Sequence, residues 1–137
     1  MSSEIFVDTS GFYAVLIEGN AAHEKATSIL HQAAETKRRF VTTDYILDET
    51  TTLLKSRGYA HLLPRLLRSV FDSDACRVEW MDRERFMRTW HYLRRHEDKD
   101  WSFTDCFSFW LMEEYDIGEA LSTDDHFRQA GYIPLLG

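Results

Sequence analysis

Four acidic residues of this chain stand where a surface carboxylate is not expected. They are Asp8, Glu49, Asp105 and Asp124. Asp8 directly follows a continuous apolar run at residues 5–7, and Asp124 follows residues 120–123, so both fall at the carboxyl end of a predicted strand. The carboxyl ends of parallel strands share one edge of a sheet, where open α/β sheets bind their ligands. The spacing therefore predicts that these two carboxylates meet at one site.

Glu49 belongs to a predicted helix over residues 44–57. Side chains three and four positions apart share a helix face, which places Ile46, Glu49 and Leu53 in one row inside the apolar stripe. A carboxylate that faces a core is costly unless it is paired. A glutamate at the edge of such a stripe can also extend into solvent, so both interpretations stay open.

Asp105 lies near the start of the most apolar predicted helix, residues 103–115. Ser102 and Asp105 have the spacing of a capping box, although glutamate is the more usual partner of the serine. We favour a functional role because a buried helix leaves this carboxylate no wet surroundings except a cleft. Helix capping is also the alternative role for Asp8. Asp125 is an alternative to Asp124, which would then cap the short helix over residues 125–130.

Carboxylates that converge without a cation repel one another, and at least one of them would have to stay protonated. A hard divalent ion removes this conflict, because Mg²⁺ and Mn²⁺ prefer oxygen ligands. The six histidines are scattered and form no HExxH motif or helical pair that would bind a different metal. An oxygen-rich metal site of this kind suits phosphodiester hydrolysis, since the ion lowers the pKa of a bound water.

The elements that would position these acids alternate between strands and helices. Strands are predicted at residues 5–7, 39–42, 76–81, 120–123 and 132–135, and helices at residues 12–17, 23–35, 44–57, 62–71, 83–96, 103–115 and 125–130. In the helix at 83–96, Phe86, Trp90 and Leu93 form the predicted apolar face. The alternation predicts an α/β domain with a mainly parallel sheet of four to five strands flanked by helices. Residues 1–137 show no linker or internal repeat, so we expect a single domain.

Composition narrows the possible functions. The 23 acidic and 16 basic residues give a net charge of -7, which argues against gripping nucleic acid with the whole surface but permits a local basic groove. No apolar stretch is long enough to span a membrane, and the first residues do not resemble a signal peptide. Two cysteines without zinc-binding spacing suit a reducing compartment. We therefore expect a cytoplasmic protein.

Four ordered motifs carry a resemblance to a known family. They are residues 5–12 (Ile-Phe-Val-Asp-Thr-Ser-Gly-Phe), the helix segment at residues 48–54 (Asp-Glu-Thr-Thr-Thr-Leu-Leu), residues 101–106 (Trp-Ser-Phe-Thr-Asp-Cys) and residues 121–131 (Leu-Ser-Thr-Asp-Asp-His-Phe-Arg-Gln-Ala-Gly). Together they resemble the PIN-domain ribonucleases, most closely the VapC-like toxins of toxin-antitoxin modules and their free-standing relatives. The resemblance implies a three-layer PIN-like fold over residues 1–137 and metal-dependent cleavage of RNA.

The resemblance also implies roles for individual residues. Asp8, Glu49, Asp105 and Asp124 would form the catalytic, metal-binding quartet, with Mg²⁺ as the ion and Mn²⁺ as its substitute. The implied partners are an RNA substrate, a cognate antitoxin protein and a second copy of the chain in a homodimer, with no membrane. The alternative function is a catalytically weak PIN-fold module that binds RNA or protein. The candidate phosphate contacts are Lys37, Arg38, Arg39, Arg65, Arg68, Arg88, Arg94 and Arg95.

Overall fold

Five parallel strands form one sheet in the computed structural model, which describes residues 1–137. The strands are β1 (Ser2–Val7), β2 (Phe40–Thr43), β3 (Cys76–Glu79), β4 (Ile117–Leu121) and β5 (Ile133–Pro134). Their order across the sheet is β3-β2-β1-β4-β5, and every neighbouring pair is parallel. The central strand β1 buries Ile5, Phe6 and Val7 on both sheet faces, as a continuous apolar run requires.

Seven α-helices connect and cover these strands. They are α1 (Thr9–Leu16), α2 (His23–Glu35), α3 (Asp44–Ser56), α4 (Leu63–Phe71), α5 (Arg83–Arg95), α6 (Phe103–Glu114) and α7 (Asp125–Gln129). On one sheet face, Phe12 of α1 and Leu30 of α2 surround an apolar cavity together with Val7. On the other face, Phe127 of α7 lies between Phe6 and Phe109 of α6. This arrangement confirms the predicted α/β fold with helices flanking a parallel sheet. No helix combines the length and the apolar character needed to cross a membrane.

Strand β4 begins three residues before the position expected from the sequence, and it ends two residues earlier. Ile117 already pairs with Ser2, although the following glycine and glutamate do not look like strand residues. Gly118 lies against the side chain of Met1, and Glu119 is neutralised by Arg38 at 2.6 Å. Ser122 and Thr123 consequently lie beyond the strand and form the turn before Asp124.

The buried face of α5 also differs from the expected one. Thr89 and Tyr92 are the buried residues of this helix, whereas Phe86 and Trp90 remain 43% and 42% exposed. The apolar periodicity therefore predicted the helix correctly, but the observed buried face is shifted by about one residue from the predicted one.

Gly11 allows the first turn of α1 to pack directly against the end of β4. A Cβ at this position would lie 2.0 Å from the backbone oxygen of Leu121, so no larger residue fits without moving the helix. This close approach brings Asp8, at the start of α1, next to Ser122, which follows β4.

Candidate active site

Asp8 is held at the carboxyl end of β1 as the N-cap of α1. Its Oδ1 accepts hydrogen bonds from the Gly11 amide at 3.0 Å and the Ser10 hydroxyl at 2.8 Å. Its Oδ2 accepts a hydrogen bond from the Ser122 hydroxyl at 2.8 Å. The side chain is buried, with 6% of the residue exposed, and all three of these donors are uncharged.

Burial raises the pKa of Asp8 from its ordinary value of 3.8 to about 6. The hydrogen bonds from Ser10, Gly11 and Ser122 oppose this change, while the nearby charge of Asp124 adds to it. The buried carboxylate therefore has oriented oxygens but no lysine or arginine among its hydrogen-bond donors.

Two serine hydroxyls tie Asp8 to the turn that follows β4. Ser10 Oγ accepts a hydrogen bond from the Thr123 amide at 3.0 Å, and Ser122 Oγ accepts one from the Asp124 amide at 2.9 Å. Because each serine also donates to Asp8, the first and last motifs of the chain form one hydrogen-bonded unit.

The structure distinguishes Asp124 from Asp125. Asp124 caps α7 by accepting from the His126 amide at 2.9 Å, and it lines the same cleft as Asp8. Asp125 is 65% exposed at its side chain and pairs with Arg128 at 2.8 Å. Asp124 thus combines the capping role with a position in the site, whereas Asp125 faces solvent.

Asp105 forms the predicted capping box with Ser102 and also lies close to His126. Its Oδ2 accepts from the Ser102 amide at 3.0 Å, and the Asp105 amide donates to Ser102 Oγ at 3.0 Å. The same Oδ2 lies 3.2 Å from Nδ1 of His126, which is 3.6 Å from Oδ1 of Asp124. Capping and participation in a side-chain cluster therefore coexist at this residue.

His126 is the site residue that the sequence analysis missed. One ligand atom from each of Asp105, Asp124 and His126 lies within 4.8 Å of the others. The only sequence signal was the position of His126 two residues after Asp124, because its contact with Asp105 depends on the packing of α7 beside the start of α6.

Glu49 is exposed and lies at the edge of the apolar stripe rather than inside it. The buried residues of α3 are Ile46, Thr50 and Leu54, so the second of the two sequence interpretations describes the helix. Glu49 Oε1 accepts a hydrogen bond from the Thr9 hydroxyl at 2.6 Å. This contact fixes one carboxylate oxygen beside α1.

Two adjoining clefts lie beside these side chains. The first has a volume of about 320 Å³, and Asp8, Glu49 and Asp124 line it. The second has a volume of about 630 Å³ and shares Thr9 and Glu49 with the first. Asp105 does not line either cleft, and its link to the first runs through His126 and Asp124.

The donor set fits a hard divalent cation. Carboxylate oxygens predominate, a single imidazole accompanies them, and the buried carboxylate of Asp8 has only uncharged hydrogen-bond donors. A cation would remove the cost that raises the pKa of Asp8. The candidate ligands are Asp8 and Asp124 in the first cleft, with Glu49 at its exposed side and Asp105 joined to Asp124 through His126.

Fold and site together define a parallel α/β protein with an acidic, oxygen-rich cleft at the carboxyl edge of its sheet. A family model for the PIN domain matches residues 5–132. The chain is 32% identical over 129 residues to the 23S rRNA-specific endonuclease VapC20 of Mycobacterium tuberculosis strain H37Rv, an alignment that covers 94% of this chain and 95% of that protein. The same values hold for VapC20 of strain CDC 1551.

A solved structure resembles the whole fold. The crystal structure of Mycobacterium tuberculosis VapC20, described as a sarcin-ricin loop cleaving toxin, superimposes with a TM-score of 0.81 at 30% identity. The match covers 95% of this chain and 97% of that one. The chain belongs to the PIN-domain family, within its VapC-like ribonucleases. The resemblance inferred from the four sequence motifs is thereby confirmed.

Proposed function

We propose that this protein is a metal-dependent endoribonuclease that hydrolyses phosphodiester bonds of RNA, with Mg²⁺ as its ion and Mn²⁺ as a substitute. One observation carries the proposal: the buried Asp8 carboxylate, which has no cationic hydrogen-bond donor, lies in one cleft with Glu49 and Asp124. In this proposal Asp8, Glu49, Asp105 and Asp124 hold the metal. A bound ion of this kind lowers the pKa of a water ligand and stabilises negative charge on phosphate oxygens.

The surrounding residues keep the carboxylates in place. Ser10 and Ser122 donate to different oxygens of Asp8, so the plane of its carboxylate is fixed. His126 lies between Asp105 and Asp124 and brings their carboxylates together. Thr9 donates a hydrogen bond to Oε1 of Glu49, which holds this carboxylate at the edge of the cleft.

The biological setting is part of the same proposal. We expect the protein to act as the toxin of a toxin-antitoxin pair in the cytoplasm, as one PIN domain over residues 1–137. The VapC20 relative is named for its action on 23S rRNA, which makes a sarcin-ricin loop hairpin the first substrate to test. The alternative function, a catalytically weak binding module, would keep RNA affinity without cleavage.

The protein partners are further proposals. Large apolar side chains remain exposed along α4, directly after β3 and along α5, where a second copy or an antitoxin helix would bury them. They include Leu67, Phe71, Trp80, Met87 and Trp90. Light scattering of the purified chain tests the homodimer, and co-purification with the product of a neighbouring gene tests the antitoxin.

Cleavage of the labelled hairpin tests the enzymatic proposal. We expect cleavage in Mg²⁺ and Mn²⁺, none in EDTA, and a loss of at least about 100-fold in Asp105→Asn. Asp125→Asn is the matched control, because it removes the same charge from a residue outside the cleft. Cleavage that survives EDTA, or that falls equally in both variants, would contradict the proposal, and RNA binding without cleavage would favour the alternative.

A further inference from the structure

Arg57 is the only arginine or lysine that lines either cleft. It is the C-cap residue of α3, and the following Gly58 adopts a φ of +83°, which ends the helix at this point. Its guanidinium carbon lies 5.6 Å from the centre of the Tyr13 ring. The side chain is therefore placed in the first cleft beside Asp8, Glu49 and Asp124.

The guanidinium of Arg57 is available to a ligand. None of the ion pairs of the protein involves Arg57, although Glu49 lines the same cleft. In contrast, Arg38, Arg77 and Arg85 each contact a carboxylate. A planar guanidinium matches the geometry of a phosphate, and stacking on an aromatic ring limits the freedom it loses on binding.

The carboxylates of this cleft repel the phosphates of an RNA strand, and a guanidinium in the cleft offsets this repulsion. The arginines named from the sequence as phosphate contacts do not line either cleft, so none of them offsets this repulsion locally. Arg57 did not stand out in the sequence because it immediately precedes Gly58 and reads as the end of a helix.

We propose that Arg57 binds a backbone phosphate of the RNA substrate and that Tyr13 is the positioning residue that orients its guanidinium. This inference rests on the proposed ribonuclease function. The adjoining cleft presents hydroxyl groups of Thr52, Ser56 and Thr104 but no arginine or lysine. In this arrangement one phosphate of the RNA strand lies at Arg57. The neighbouring riboses and bases lie in the second cleft, along α3.

The test compares Arg57→Gln with Lys55→Gln, which removes the same charge from the last turn of the same helix but outside both clefts. Binding of a labelled single-stranded oligoribonucleotide is measured by fluorescence anisotropy in Ca²⁺ across a salt series, and cleavage is measured in Mg²⁺. We expect Arg57→Gln to weaken binding about tenfold and to reduce the salt slope by about 0.7. In cleavage, KM should rise about tenfold with little change in kcat.

Further variants separate a specific contact from a general effect of charge. Arg57→Lys should keep the salt slope, Tyr13→Phe should bind like the unmodified protein, and Tyr13→Leu should weaken binding. Equal effects of Arg57→Gln and Lys55→Gln, or no detectable binding by the unmodified protein, would overturn the inference. If the unmodified protein binds RNA but does not cleave it, the ribonuclease proposal fails, while the difference between the two variants still decides the role of Arg57.

Discussion

Replacement of Asp8 by asparagine is expected to stabilise the metal-free fold at neutral pH. Asparagine is as good an N-cap as aspartate, so α1 keeps its first hydrogen bond to Gly11. The amide nitrogen would donate to Ser122 Oγ, whose proton can turn towards Ser10 Oγ at 3.3 Å. The variant therefore keeps the hydrogen bonds around residue 8 and removes the buried charge.

The size of the expected stabilisation by Asp8→Asn follows from the pKa of Asp8. Burial raises that pKa from 3.8 to about 6, so between these values the folded protein holds a proton that the unfolded chain has released. The contribution of Asp8 to the free energy of unfolding therefore falls as pH rises through this window and levels off above it. The difference corresponds to about 3 kcal/mol, or about 10 °C in Tm for a domain of this size.

Thermal unfolding in EDTA across the pH range from about 3.5 to 8 measures this effect. We expect Asp8→Asn to melt above the unmodified protein at neutral pH, with the difference disappearing below about pH 4. Asp82→Asn is the control, because Asp82 also caps a helix, by accepting from the Arg85 amide at 2.8 Å, but is exposed. A variant that melts below the unmodified protein at neutral pH would refute the reasoning, as would a difference that does not depend on pH.

Two further changes test the packing that supports the site. Gly11→Ala should lower the free energy of unfolding by about 3 kcal/mol, because its Cβ would meet the Leu121 oxygen, whereas Gly19→Ala, with open space around it, should change it by less than about 0.5 kcal/mol in urea unfolding. Thr89→Val should raise stability by about 1 kcal/mol, because its buried hydroxyl has no partner. The same change at Thr50, whose hydroxyl donates to the Ile46 carbonyl at 2.7 Å, should lower stability by a similar amount in the same assay. A loss of stability in Thr89→Val would contradict this account.

The fold was predictable because its signals are local. Helix α2 covers the predicted residues 23–35, since its apolar side chains recur with helical spacing and turns bound both ends. Strand β4 was less predictable because Ile117 pairs with Ser2 and Glu119 pairs with Arg38, and both partners are distant in the chain. Sequence patterns therefore located the elements, while contacts between elements determined where the strand begins.

The site was only partly predictable for the same reason. Strand-end position identified Asp8 and Asp124, and apolar surroundings identified Asp105. His126 and Arg57 had no comparable signal, because their significance depends on which side chains α6 and α1 bring near them. For Glu49 the sequence left two interpretations open, and the exposed one describes the helix because the buried row of α3 runs through Ile46, Thr50 and Leu54.

The sequence also left open whether these acids cap helices or form a site, and the structure explains why the two roles looked alike. Asp8 and Asp124 are N-caps of α1 and α7, and Asp105 closes the capping box of α6. Each cap fixes its carboxylate through backbone amides and directs the positive end of a helix dipole towards it. Three helix starts therefore partly offset the repulsion among these acids before any cation binds. Capping is thus the local device by which the chain positions its acidic site.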